Sequence, residues 1–108
     1  MSTKISRASL AEALFSKEPP IVFEALDKKY YDVGHLPTAR VLPPGEIEVV
    51  ISSQVARKDA PIIVYCASDT CENSHEAASW LAARGYSNVA VYAGGKKDWQ
   101  EAGLRLEK

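Results

Sequence analysis

Ile62-Ile63-Val64-Tyr65 restricts the fold more than any other stretch: an unbroken run of β-branched and aromatic residues, entered from Pro61 and followed by Cys66 and a polar segment. A strand with no polar alternation is buried on both faces, which is the pattern of a central strand in a parallel sheet. Parallel neighbours cannot be joined by tight hairpins, so helical crossovers must flank it. The rest of the chain supplies them. Ser6 or Ser9, with Leu10, Ala11, Ala13, Leu14 and Phe15, predicts a capped helix stopped by Pro19-Pro20. Ile21-Val22-Phe23 reads as a buried strand, Ala25 to Tyr31 as a helix running up to Gly34, and Val41-Leu42 as a brief strand closed by Pro43-Pro44-Gly45. Ile47, Val50, Ile51 and Val55 fit one helical face between Glu46 and Lys58. After the central strand, Ser74 opens a helix carrying Ala77, Ala78, Trp80, Leu81 and Ala82 and ending at Gly85. Asn88 to Tyr92 is a further strand, and Gly94-Gly95 leads into a last helix with Trp99 that ends near Gly103. The expected fold is therefore α/β, with a parallel sheet and helices on both faces.

A chain of 108 residues can bury about 65% of its unfolded surface, so one domain over residues 1–108 with one core is expected. Thirteen basic and fourteen acidic side chains leave a net charge of −1, which removes any bulk electrostatic reason to bind nucleic acid or an anionic membrane. No apolar run approaches the roughly 20 residues of a membrane span. The stretch Met1-Ser2-Thr3-Lys4-Ile5 lacks the apolar core of a secretory signal, so a cytoplasmic address is the expectation. Two cysteines in a reducing compartment point away from a standing bridge and toward catalytic, redox or metal chemistry.

In open α/β sheets, ligands bind beyond the carboxyl ends of the strands, where helix N-termini present free N–H groups. Cys66 ends the most buried strand, a polar turn-like stretch follows, and then a helix begins. A thiolate is favoured in such a place, which makes Cys66 a candidate nucleophile; the bland alternative is a buried cysteine acting as a small hydrophobe. Cys71 lies within the loop as a candidate resolving thiol, provided the loop folds back to bring the two Cα atoms within about 7 Å. Cys66, Cys71 and His75 form Cys-x4-Cys-x3-His, but zinc takes four ligands and no fourth stands nearby. No metal and no cofactor is expected. His35 reads as a turn-fixing residue, Trp80 and Trp99 as core, and Lys96-Lys97 as a solvated pair.

Three segments resemble the signatures of rhodanese-like sulfurtransferase domains. Tyr31-Asp32-Val33-Gly34-His35-Leu36-Pro37-Thr38-Ala39 is similar to a Gly-His-Ile/Leu-Pro-x-Ala turn. Ile62 to Cys66 with its loop and helix resembles the family's strand, catalytic cysteine and active-site loop. Val89 to Trp99 carries Gly94-Gly95-x-x-x-Trp99, with Gly103 beyond. The resemblance implies a three-layer fold with about five parallel strands between helices. It also implies that Cys66 accepts a sulfane sulfur as a persulfide, held by a loop of Ala67, Ser68, Asp69, Thr70, Cys71, Glu72 and Asn73, and passes it to a thiol acceptor. Donor and acceptor are expected to include protein-borne persulfides and thiols; there is no expected nucleic-acid or membrane partner, and the chain is expected to be a monomer or weak dimer. Ala67 and Asn73 occupy places where the family commonly has arginine, Glu24-Ala25-Leu26 replaces its usual Asp-x-Arg, and the loop is about two residues longer, without its common glycine. An anionic donor such as thiosulfate would meet Asp69 and Glu72 with no arginine, so a neutral or protein-borne persulfide is the expected donor. Two alternatives stand beside this: a thiol redox protein using a Cys66/Cys71 couple, and a catalytically inactive protein-binding module.

Overall fold

The computed structural model describes residues 3–108; Met1 and Ser2, the start of the stretch read as lacking a signal, lie outside the described residues. The elements run β1 (Thr3–Lys4), α1 (Arg7–Leu14), β2 (Ile21–Glu24), α2 (Lys28–Val33), β3 (Arg40–Val41), a 3-10 turn at Pro44–Glu46, α3 (Ile47–Gln54), β4 (Ile62–Tyr65), α4 (Asn73–Ala83), β5 (Val89–Tyr92) and α5 (Gly95–Glu101). All five strands are parallel, in the order β1-β5-β4-β2-β3. The expected α/β sheet is thus present, with one strand unforeseen: β1 has two exposed residues and no hydrophobic signal, and exists through its pairing with Ala90 and Val91.

Alternation along the strands divides the core. Phe23, Ile62, Val64 and Val91 pack with Ile51 of α3 and Ala77, Ala78 and Leu81 of α4. Val22, Ile63, Tyr65 and Tyr92 pack with Leu10 and Leu14 of α1 and Trp99 of α5. Successive side chains of a strand point to opposite faces, so every residue of β4 is buried, Ile62 and Val64 against one helical layer and Ile63 and Tyr65 against the other.

Local sequence explains most boundaries. Ser6 caps α1, its hydroxyl accepting the Ser9 N–H at 3.1 Å. Gly85, at φ +88°, closes α4 with the Tyr86 N–H returning to the Leu81 carbonyl. The helix expected between Glu46 and Lys58 stops at Gln54, and Val55 is already extended. Trp99 is core as expected, but Trp80 is only half-buried, with the Arg84 guanidinium 4.2 Å over its ring.

One tether joins the helices of the second layer. Arg7 pairs with Asp98 at 2.9 Å, and Tyr92 donates to the same carboxylate at 2.5 Å. The Tyr92 hydrogen bond first, then Arg7, holds the Asp98 carboxyl below its usual range. A carboxyl depressed in the folded state adds stability above its unfolded pKa of about 3.9 and loses it as pH falls through the lower folded value. The melting-temperature gap between wild type and Asp98→Asn is therefore expected to be largest near neutrality and to shrink in acid below about pH 4. A gap independent of pH would overturn this.

Chain direction places the site. From β2 the chain leaves toward β3, and from β4 it leaves toward β5, on the opposite side of the sheet. The carboxyl ends of these adjacent strands, Glu24 paired with Tyr65, therefore form the switch point where α/β sheets open a crevice.

Candidate active site

Cys66 follows Tyr65 at that switch point and is buried, 1% exposed. The segment after it folds back sharply. The Cys71 N–H donates to the Ser68 carbonyl at 3.1 Å, and the hydroxyls of Ser68 and Thr70 share a hydrogen bond of 3.0 Å. This turn brings Cys71 to a Cα separation of 6.3 Å from Cys66, and the two sulfurs are joined as a disulfide. Cys66 Sγ also lies 3.4 Å from the Cys71 carbonyl oxygen and 3.5 Å from Ser74 Oγ. The first turn of α4 thus sits against the sulfur, and its free N–H groups and dipole favour negative charge there.

The loop is fixed from beneath by α5. The N–H groups of Lys96 and Lys97 donate to the carbonyls of Cys66 and Ala67 at 3.0 and 2.9 Å. A trans peptide sets its N–H opposite its carbonyl, so the N–H groups of Ala67 and Ser68 point away from α5. This approach requires glycine at position 95. Its φ is +64°, and a Cβ there would stand 2.2 Å from the Cys66 carbonyl oxygen.

Below the loop lies a buried polar chain. The Leu36 N–H donates to Tyr65 Oη at 3.0 Å, and that hydroxyl donates to Glu24 Oε1 at 2.7 Å. Glu24 is fully buried, and Lys96 Nζ stands 2.9 Å from its Oε2 while donating to the Tyr30 carbonyl at 2.7 Å. The Lys96 contact is a charge pair off the line of a well-formed hydrogen bond, which leaves Oε2 with no hydrogen-bond partner. Burial, and then the Glu24 carboxylate, push the Tyr65 phenol far above its ordinary range, so it remains a donor. Lys96 is therefore no solvated residue: its backbone holds Cys66 and its side chain neutralises Glu24.

Residues 6–102 match the family described as Rhodanese-like domain. The chain belongs to this family. Over 89 residues it is 29% identical to thiosulfate sulfurtransferase GlpE of Pseudoalteromonas translucida (strain TAC 125), covering 82% of this chain and 81% of that protein. The rhodanese-like domain of an Anabaena sp. protein, solved by NMR, superposes with a TM-score of 0.85 at 27% identity, over 99% of this chain and 80% of that one. A thiosulfate sulfurtransferase from Pseudomonas aeruginosa gives a TM-score of 0.88 at 28% identity over 98% of this chain, which spans 20% of that longer protein.

In this rhodanese-like domain the residues singled out from sequence do not all converge. Cys66 and Cys71 meet, with the Ser68–Thr70 turn between them. Ala67, Asp69 and Glu72 are exposed, Asn73 begins α4, and Asp69 lies in a shallow cleft with Gly94, Lys97, Asp98 and Glu101. The Cys71 N–H, expected among the sulfur-holding donors, is engaged by Ser68 in this oxidised form. His75 is half-buried, and among the described residues no cluster of three or more potential metal-ligating side chains forms. His35 stacks on Tyr31 with ring centroids 4.1 Å apart, and its Nδ1 lies 2.9 Å from the Leu36 carbonyl, as expected of a turn-fixing residue. Ser74, which has the composition of a cap, makes no such hydrogen bond and is buried against Cys66 Sγ instead. Gly95 and Lys96 are legible in sequence only as parts of a motif, and Glu24 only as a departure from one.

Proposed function

We propose that the domain is a sulfurtransferase or persulfide carrier in which Cys66 takes a sulfane sulfur and hands it to a thiol. The observation that carries this reading is the place of Cys66: at the switch point of the sheet, against the first turn of α4, in a chain whose family and relatives are sulfurtransferase-like. The Cys66 thiolate attacks the outer sulfur of the donor, the donor's remaining fragment leaves with the electron pair, and the persulfide is then split by an acceptor thiol. Covalent capture divides the transfer into two easier displacements. Loop N–H groups and the α4 terminus offset the charge of the bound persulfide.

The test is adduct mapping on a reduced Cys71→Ser chain, in which a persulfide cannot be drawn into a loop disulfide. After exposure to a small organic persulfide, the peptide containing Cys66 is expected to be about 32 Da heavier, with fragmentation placing the sulfur on Cys66. An unmodified Cys66 after exposure to every class of sulfane donor would overturn the proposal and leave the protein-binding reading.

Donor charge gives a second expected outcome. Asp69 and Glu72 are both exposed on the loop, and each opposes a nearby anion by about 1 kcal/mol in a water-like dielectric. Thiosulfate is accordingly a weak donor for this domain, although two of its relatives bear that substrate's name. The double substitution Asp69→Asn with Glu72→Gln is expected to raise kcat/KM for thiosulfate by on the order of 10-fold at low salt, and less at high salt. An equal gain for an uncharged persulfide would show that repulsion is not the cause.

A further inference from the structure

Building on the sulfur-transfer reading of Cys66, we propose that Cys71 resolves the Cys66 persulfide internally, so that the loop reduces sulfane sulfur to hydrosulfide and closes as the Cys66–Cys71 disulfide. Three observations converge on this. The Ser68–Cys71 turn sets the two Cα atoms 6.3 Å apart, inside the range a disulfide spans, and the sulfurs are bonded. The pair lies at the nucleophile itself, where a bond closing a five-residue separation blocks the one sulfur that the transfer requires. Burial is unequal: Cys66 is 1% exposed, whereas Cys71 is half-buried and open to a partner.

The chemistry balances without further groups in the forward step. The Cys71 thiolate attacks Cys66 Sγ, the bond from Sγ to the outer sulfur breaks, and that sulfur leaves as HS⁻ with the electron pair. The proton lost by Cys71 remains in solvent or joins the hydrosulfide. Two cysteine sulfurs have together given two electrons to the sulfane sulfur. Holding the attacking thiol in the same loop gives it the high effective concentration of an intramolecular reaction, so it competes with free acceptor thiols.

Resetting the loop takes a dithiol reductant. Its first thiolate attacks the accessible Cys71 sulfur, and Cys66 departs as the thiolate beside Ser74 Oγ and the α4 N-terminus, a site suited to a leaving thiolate. The reductant's second thiol then breaks the mixed disulfide and frees Cys71, leaving the reductant oxidised. The full cycle consumes one sulfane sulfur and one dithiol and yields hydrosulfide and a disulfide.

A burst experiment tests this. Reduced, desalted wild-type protein is mixed with one equivalent of N-acetylcysteine methyl ester persulfide, quenched with an alkylating reagent, and assayed for sulfide and intact mass. The expected result is about one hydrosulfide per chain above the protein-free control, with a product about 2 Da lighter than the reduced chain. Dithiothreitol should restore a second burst. Cys71→Ser and Cys71→Ala should each show at least a 10-fold smaller burst and hold a persulfide about 32 Da heavier on Cys66. Wild type that stops at that heavier species without a burst would overturn the inference while leaving the sulfurtransferase reading intact. A disulfide formed without sulfide would overturn it in favour of a plain redox couple. Failure of Cys66 to take sulfur in any of the three proteins would overturn both.

Discussion

Cys66→Ser in a Cys71→Ser background, which removes the loop's second thiol, is expected to lower the rate of sulfur transfer to a thiol acceptor by at least about 10³-fold relative to Cys71→Ser alone, because a hydroxyl forms no persulfide. In the wild-type background the same substitution of Cys66 separates chemistry from stability. The Cys66–Cys71 bond spans only five positions, and constraining so short a loop contributes about 2 kcal/mol through the unfolded state. Oxidised wild type should therefore melt several degrees above the variant. Reduced wild type should melt close to it, since serine nearly fills the volume of cysteine and its hydroxyl faces Ser74 Oγ, 3.5 Å from the present sulfur. Thermal melts with and without dithiothreitol, beside a transfer assay, make the comparison. A double variant that transfers sulfur at the Cys71→Ser rate would remove Cys66 from the mechanism, and a variant that is inactive only because it is unfolded would show itself in the reduced-state melt.

The parts of this molecule that sequence made legible are those written in local pattern. Ile62 to Tyr65 could hardly be anything but a central strand, and the position of Cys66 at its end follows from chain direction alone. Helix ends set by Ser6 and Gly85 carry their own chemistry. What stayed hidden depends on pairing across long sequence distances. β1 is two exposed residues whose strand character comes entirely from β5, some 87 positions away. Ser74 looks like a cap, yet Asn73 already starts the helix, so the serine falls on the turn that faces the sulfur. Lys96 and Lys97 look alike in sequence, but one is drawn under the loop by Glu24 while the other is exposed.

Net charge hides a similar arrangement. The chain is balanced to within one unit, but apart from Lys97, which shares a shallow cleft with Asp69, several of its basic side chains are engaged elsewhere. Arg7 holds Asp98, Arg57 holds Asp59, Arg84 covers Trp80, and Lys96 is committed beneath the loop. Asp69 and Glu72 remain exposed on the loop itself. The loop after Cys66 is thus locally acidic in a near-neutral protein, which is the physical basis for expecting donors without a full negative charge.

Lys96→Met is expected to destabilise the fold by about 3–5 kcal/mol, because it leaves the fully buried Glu24 carboxylate without its ammonium partner. For a domain of this size that lowers the melting temperature by on the order of 10–20 °C. Glu24→Gln should cost less, since the amide oxygen that replaces the carboxylate can still accept from Tyr65 and the lysine, 13% exposed, retains the Tyr30 carbonyl and some water. In the double variant no buried charge is left unpaired, so the combined loss should fall short of the sum of the single losses by about 2 kcal/mol or more. The fault should also reach the chemistry. The Lys96 N–H holds the Cys66 carbonyl at 3.0 Å, so a displaced side chain loosens the turn on which Cys66 rests. Lys96→Met, assayed well below its melting temperature, should transfer sulfur more slowly than wild type, and the double variant should recover part of that rate. Additive losses within about 0.5 kcal/mol would mean that Glu24 and Lys96 are not coupled and that the loop is held by backbone contacts alone.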